Sequence, residues 1–294
     1  MKKPDKWAEW LIKTRFQHKT EEQRRKAFQY LSDIRGRVLD RSEVKEGDVV
    51  LDVGTGIGLL AFGAVERVRP TGQVIASDIS VNCLEECRRL ARQTKVDRWM
   101  EFLQADATAL NLPDESVDVI MTRSVLIYVQ DKRKVAEEFF RVLRPGGRFS
   151  IFEPINSRRR VESDIDWAPV QEIKDRLDQR RRELSKESPT IQAMISFDEQ
   201  DLLGFFEQVG FIDLNLDLRQ DTALEAKTRE EAISLLKGVG SPDQKSIHDL
   251  LIEEFPHEKV EAYVEYFASQ VERHPYRVIL PVAYLSGRKP FREK

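Results

Sequence analysis

The chain has 294 residues, 40% of them hydrophobic, enough to bury a large core in one elaborated domain or two small ones. Its 48 basic and 51 acidic residues nearly cancel, leaving a net charge of −3 and no basic excess that would predict a nucleic-acid surface. Two cysteines, Cys83 and Cys87, are too few for a disulfide scaffold; no apolar run reaches the roughly 18–20 residues that span a bilayer; and the charged N-terminus, Met1 to Trp7, has no signal-peptide core behind it, so the expected setting is cytoplasmic.

Residues 5–40 read as helices, with Trp7, Trp10 and Leu11, then Phe28, Leu31, Ile34 and Leu39, recurring every three or four positions among charges. The period changes at the Gly47-Asp48 turn. Val49 to Val53 is a short apolar strand, Leu59 to Val68 a helix, residues 72–80 a second strand, Val81 to Thr94 a helix and Met100 to Ala105 a third strand. A fourth strand follows the Pro113-Asp114 turn over 116–124. The helix Val135 to Leu143 stops at Pro145-Gly146-Gly147, and 148–154 is a fifth strand. Regular alternation of short apolar strands with helices predicts a parallel sheet covered on both faces, with right-handed crossovers.

Beyond Pro154 the regularity ends. Residues 157–196, carrying "SRRR" and "DQRRREL", read as an exposed helical insertion with a solvated face. A capped helix follows over 196–211, with Ser196 or Asp198 as N-cap and Gly210 as the stop. Residues 212–220 alternate like a half-exposed strand, 228–273 are helical, and 276–287 form a last strand whose Pro281 predicts an edge or a bulge. The chain thus divides into a helical cap (1–44), an α/β core (45–155), a helical insertion (156–196) and a C-terminal part of the core (197–294) interrupted by a second insertion at about 221–274.

The stretch "VVLDVGTGIG" carries the chemistry. A glycine loop after a strand commonly cradles a pyrophosphate, but here Leu59 stands where the dinucleotide fingerprint needs its third glycine. Asp52 also places a carboxylate beside Gly54, Thr55, Gly56 and Gly58. That suits a ligand with a cationic ammonium, whose own carboxylate the helix N-terminus can receive. Asp78, ending the second strand, can accept from both hydroxyls of a ribose, and Ile79 can pack on an adenine face. Asp106, after the third strand, can accept from an exocyclic amine while the Ala107 N–H donates to a ring nitrogen. An amino acid, a ribose and an adenine, met in order along the strand ends, together describe S-adenosylmethionine.

These segments resemble the class I S-adenosylmethionine-dependent methyltransferases, in the subgroup that includes ubiquinone/menaquinone-biosynthesis-like enzymes. "VLDVGTGIG" resembles the first motif, "IASDIS" the second, "LQADATALNLPDESVDVIMTRSVLIYV" the adenine loop and fourth strand, and "EFFRVLRPGGRFSIFEP" the closing helix, turn and strand. The resemblance spans residues 45–155. It implies a Rossmann-like sheet of seven strands, the last antiparallel and inserted between the fifth and sixth, with methyl transfer as the activity. It also implies that the backbone at Arg123 and Ser124 helps to hold the methionine end. "TRSVLIYV" lacks the Asn/Asp-Pro-Pro-Tyr-type motif of amide and amino-base methyltransferases, and the three cysteines of arsenite methyltransferases are absent.

Tyr128 and Glu153, at strand ends facing the expected cofactor, are the candidate bases. Their alternatives are cavity lining for Tyr128 and a loop hydrogen bond for Glu153. The four histidines are too scattered to predict a metal site. The insertions read as lids or as the surface of a homodimer, and aromatics at Trp7, Trp10, Phe16, Trp167, Phe255, Tyr263, Tyr266 and Phe267 can line an acceptor pocket or form core. The expected partner is a small-molecule acceptor modified on oxygen, carbon or nitrogen. A catalytically silent S-adenosylmethionine-binding subunit is the alternative.

Overall fold

The computed structural model describes residues 5–292, with the backbone alone at 221–223; residues 1–4 of the expected N-terminal cap lie outside the described residues. A first helix, α1 (Lys6–Ala8), runs into a π-helical turn over Glu9–Thr14 and is followed by α2 (Glu21–Arg41). The repeating core comprises β1 (Val49–Val53), α3 (Leu59–Val68), β2 (Gln73–Asp78), α4 (Val81–Gln93), β3 (Met100–Gln104), β4 (Val117–Arg123), α5 (Lys132–Val142) and β5 (Leu143–Pro154). A three-residue strand β6 (Arg160–Glu162) opens the first insertion, which continues through α6 (Gln171–Glu187) and α7 (Pro189–Ile195). Then come α8 (Glu199–Val209), β7 (Ile212–Ala226), α9 (Arg229–Lys237), α10 (Ile247–Glu254), α11 (His257–Val271) and β8 (Tyr276–Arg288).

The sheet runs β3-β2-β1-β4-β5-β8, parallel through β5 and antiparallel at β8. β7 pairs with β8 along nearly its whole length. The seven strands expected are therefore present with their last strand inserted, and β6 adds an eighth by pairing with Arg277 to Ile279. Pro281 is not at an edge, because β8 has neighbours on both sides. It sits where the β5 ladder has ended, at Val282, and the β6 ladder has yet to begin, at Ile279. The Pro281 carbonyl accepts from Ile155 N–H in that gap, so its missing N–H interrupts no ladder bond.

Alternate side chains of the strands feed two cores. Leu51, Ile120, Phe149 and Ile151 pack with Phe139 of α5 and Phe206 of α8 on one face, where the Phe149 and Phe206 rings stack at 4.7 Å. Val50, Val74, Val119 and Met121 meet α2, α3 and α4 on the other. Burial on both faces explains the continuously apolar strands. α8 is bounded as its sequence dictates: Asp198 closes a capping box with Asp201, and Gly210 ends the helix at φ 103°.

The insertions have a third core of their own, built from Leu177, Leu251, Tyr263 and Phe267. The first insertion is less exposed than its charge predicts, since Ile173, Leu177, Ala193 and Met194 are buried. Among the described residues, no helix is long and apolar enough to cross a membrane.

Candidate functional site

β1 delivers the chain to a loop in which Gly54, Gly56 and Gly58 all have positive φ, at 67°, 55° and 98°. At Gly58 a Cβ would lie 2.5 Å from the Phe62 ring and 2.9 Å from Cys87 Sγ, so both conformation and space require glycine there. At Gly56 a Cβ would come within 2.8 Å of Leu11 Cδ2. The loop therefore has a ceiling, and the segment preceding α2 supplies it.

Loop and ceiling enclose part of a cavity of about 1890 Å³. Gly54, Thr55, Gly56, Gly58, Asp78, Ile79, Asp106, Ala107, Arg123, Ser124 and Tyr128 all line it, as do Trp7, Trp10, Leu11, Arg15 and Phe16 from the N-terminal segment. Residues separated by more than a hundred positions thus meet at the C-terminal ends of the parallel strands, where open α/β sheets bind ligands.

Asp78 is 9% exposed. Its Oδ2 accepts from Gly56 N–H and its Oδ1 from Ser80 N–H, each at 2.8 Å. Burial raises its pKa, and these two N–H bonds oppose the rise. A carboxylate has about four lone-pair sites, so acceptor capacity remains for a diol on the cavity side. Ile79 beside it is 55% exposed, an apolar plate on the wall. Asp106 Oδ1 accepts from the Thr108 N–H and hydroxyl, which fixes the turn that carries Ala107.

Two expected site residues are not on the wall. Asp52 is buried beneath the loop, where Oδ2 accepts from the Thr55 hydroxyl at 2.7 Å and Ala61 N–H at 3.0 Å. Burial pushes its pKa up to about 7 against those two bonds. It ties the loop to the first turn of α3 instead of meeting a ligand's ammonium. Glu153 is fully buried: Oε1 accepts from Val125 and Leu126 N–H at 2.9 and 3.0 Å, and Oε2 from Ile127 N–H at 3.2 Å. Burial raises its pKa to about 7, and the three N–H bonds pull the other way. It is the anchor of the loop that presents Tyr128, not a base.

Tyr128 is on the wall, with the Trp7 ring edge-on at 4.8 Å. Burial pushes its hydroxyl up to about 12, against the nearby Arg15 and Arg123. It therefore keeps its proton at neutral pH. Ser124 holds its backbone at φ 55° and donates N–H to Phe152 O at 2.8 Å, turning the chain after β4. Cys83 and Cys87 are buried thiols, both pushed up to about 12 by burial first of all.

The roof is fastened at several points that no local pattern predicts. Asp243 accepts from Lys6 at 2.7 Å and from Thr190 at 2.8 Å, joining the N-terminal segment to both insertions. Trp10 Nε1 donates to Val239 O at 3.4 Å. Lys132 Nζ donates to the Val129 and Ala193 carbonyls at 2.8 and 3.0 Å, holding α7 against the Tyr128 loop. Of the aromatics singled out in the sequence, Trp7, Trp10 and Phe16 line the cavity, whereas Tyr263 and Phe267 are buried in the insertion core with Trp167, Phe255 and Tyr266 packed against it.

Residues 44–210 match the family model described as a methyltransferase domain. The ubiquinone/menaquinone biosynthesis C-methyltransferase UbiE of Enterobacter sp. strain 638 is 37% identical over 115 residues, which is 39% of this chain and 46% of that protein. The chain thus spans about half the length of the curated relatives it matches. Among solved structures, the YcgJ protein of Bacillus subtilis superposes with a TM-score of 0.55 at 19% identity, over 87% of this chain and 97% of that one. The 4+2 cyclase SpnF does so with a TM-score of 0.54 at 18% identity, over 89% and 81%. At those identities the two structures speak for the fold alone.

Proposed function

Because the chain belongs to the methyltransferase-domain family, we propose that it transfers the methyl group of S-adenosylmethionine to an oxygen, carbon or nitrogen atom of a small organic metabolite bound in the same cavity. The observation that carries this reading is the meeting of the glycine loop, Asp78 and Ile79 on one wall, beneath a roof that leaves further space. Ligand pockets commonly measure roughly 300–1,000 Å³. The 1890 Å³ here gives room for a donor and an acceptor together.

S-adenosylmethionine, when bound, supplies an electrophilic methyl group on a sulfonium sulfur. The chain's residues fit it. The positive-φ glycine cradle leaves no room for a Cβ at Gly56 or Gly58. Asp78 offers acceptors for ribose hydroxyls, Ile79 an apolar plate for adenine, and Ala107 its N–H. Arg123 and Ser124 sit at the end of β4, beside the loop. In-line displacement needs orientation and exclusion of water more than it needs a base. Trp7, Leu11 and Tyr128 cover the reacting region, and Tyr128 donates to the acceptor without removing a proton. The C-methyltransferases similar to the core favour carbon among the three acceptor atoms.

Calorimetry tests the reading. S-adenosylmethionine and its demethylated product S-adenosylhomocysteine are expected to bind and NAD to fail. Tight NAD binding would overturn it, and a metabolite screen for methyl transfer then seeks the acceptor.

A further inference from the structure

Arg15 follows the π-helical turn in the roof, Arg123 ends β4 in the floor, and both line the cavity together with Lys19. Among the described residues none of the three forms a salt bridge. Among the described residues, the carboxylate that acts electrostatically on Arg123 is Glu153, whose oxygens already take three backbone N–H groups. Arg123 Nε is buried without a hydrogen-bond partner. The Arg15 guanidinium lies 5.2 Å from the centroids of both the Trp10 and Phe16 rings, which hold it in place without neutralising it. Burial and then Arg123 push Arg15 down to about 10, and burial and then Arg15 lower Lys19. Three cations gathered in one partly desolvated pocket, with an orphaned guanidinium N–H among them, leave a charge and a hydrogen bond unanswered.

The donor does not supply that charge. S-adenosylmethionine carries a sulfonium and an ammonium against a single carboxylate, so it brings a further net positive charge into the same cavity. We propose that Arg15, Arg123 and Lys19 form the anion seat of the acceptor pocket, so that the methyl acceptor carries a carboxylate or phosphate group. The proposal rests on the methyl-transfer reading of the cavity. Guanidinium groups suit either group through paired N–H donors, and the Tyr128 hydroxyl adds another donor. Ile191, Met194 and Leu235 supply apolar wall for the rest of the molecule. The anion would also join roof to floor, since Arg15 belongs to one and Arg123 to the other.

Octanoate, octyl phosphate and octanol are the probes, titrated by calorimetry into the full chain saturated with S-adenosylhomocysteine at constant ionic strength. At least one of the two anions is expected to bind tenfold or more tighter than octanol, and which one does so identifies the group. Arg15→Met should remove at least tenfold of that affinity and Arg15→Lys, which keeps the charge but not the paired N–H donors, should restore part of it, with S-adenosylhomocysteine affinity changed less than twofold in both. Equal binding of octanol and both anions by the wild-type protein overturns the proposal whether or not any variant folds. Loss of S-adenosylhomocysteine affinity in Arg15→Met, with anion binding intact, also overturns it by giving the seat to the donor's carboxylate. Failure of the wild-type protein to bind S-adenosylhomocysteine at all would instead sink the methyl-transfer reading, and this inference with it.

Discussion

The Ser80 hydroxyl donates to the Asp5 carboxylate at 2.6 Å. Asp5 also caps α1 through the Trp7 and Ala8 N–H groups, and Ser80 caps α4 through Cys83 N–H. One short chain of hydrogen bonds thus joins the caps of two helices, and it lies two residues beyond the strand-end acid Asp78. Asp5→Ala breaks it. Loss of an N-cap costs about 1 kcal/mol, so the melting temperature should fall by only a few degrees. S-adenosylhomocysteine should nonetheless leave several-fold faster in stopped-flow experiments, because the roof is released at that end. An unchanged off-rate would show that the roof is not held from Asp5.

The ribose contact proposed for Asp78 adds to its hold on the glycine loop, which makes its loss more costly than its place at a strand end predicts. Asp78→Ala removes the acceptor proposed for the ribose, where bonds to a charged group contribute roughly 1.5–3 kcal/mol each. It also removes the acceptors for Gly56 and Ser80 N–H. Affinity for S-adenosylhomocysteine should drop at least about tenfold, and the melting temperature should drop as well. Calorimetry and thermal unfolding on the same preparation decide this; an unchanged dissociation constant would place the ribose elsewhere.

Glu153 makes stability depend on pH. Its folded-state pKa of about 7, raised by burial, lies above that of the unfolded chain. Folding therefore favours the protonated form, whose contribution is full below the unfolded pKa and is lost as pH climbs toward 7. Asp52, also raised to about 7, acts in the same direction. The urea midpoint should fall between pH 5 and pH 7.5, and Glu153→Gln should flatten that fall. The glutamine amide also faces one N–H it cannot accept from, at a cost of about 1–3 kcal/mol, so the variant should be less stable at pH 5. Equal pH slopes in the two proteins would remove Glu153 from the account.

The Lys6–Asp243 pair tests how tightly the roof is shut. The Lys6 side chain is 51% exposed, so the pair contributes at most about 1 kcal/mol, and the Thr190 bond to Asp243 a similar amount. Asp243→Ala should lower the melting temperature by only a few degrees while deuterium uptake over residues 6–14 rises roughly fivefold or more, the factor that about 1 kcal/mol implies. No change in uptake would mean that Trp7 against Tyr128 and Leu11 against Gly56 hold the segment without help.

The strands and the glycine loop were legible in the sequence because each depends on local periodicity and turn chemistry, whereas the place of the last strand came from the family resemblance alone. The strand-end acid Asp78 was legible for the same reason. Asp52 and Glu153 were read as facing the ligand because proximity to the loop or strand end does not say which side of the loop a carboxylate occupies. Asp52 is turned under the loop by Thr55 and Ala61 N–H, and Glu153 by three N–H groups of the Tyr128 loop; neither set of partners has a signature of its own. Pro281 was read as an edge or bulge residue because the gap between β5 and β6 exists only once both lie against β8. Leu11 over Gly56 and Arg15 near Arg123 come from segments far apart in the chain, so no spacing rule reaches them.

The roof's fastenings also set an order of assembly. Asp5 bonds to Asn82 across 77 positions and Lys6 to Asp243 across 237, whereas the β1–β2, β2–β3 and β4–β5 pairs join residues fewer than 30 positions apart. Contacts that close long loops pay their entropy before they return anything, so they form late. The floor of the donor site therefore takes shape first, as an open groove, and the roof segment carrying Asp5 and Lys6 is among the last to dock.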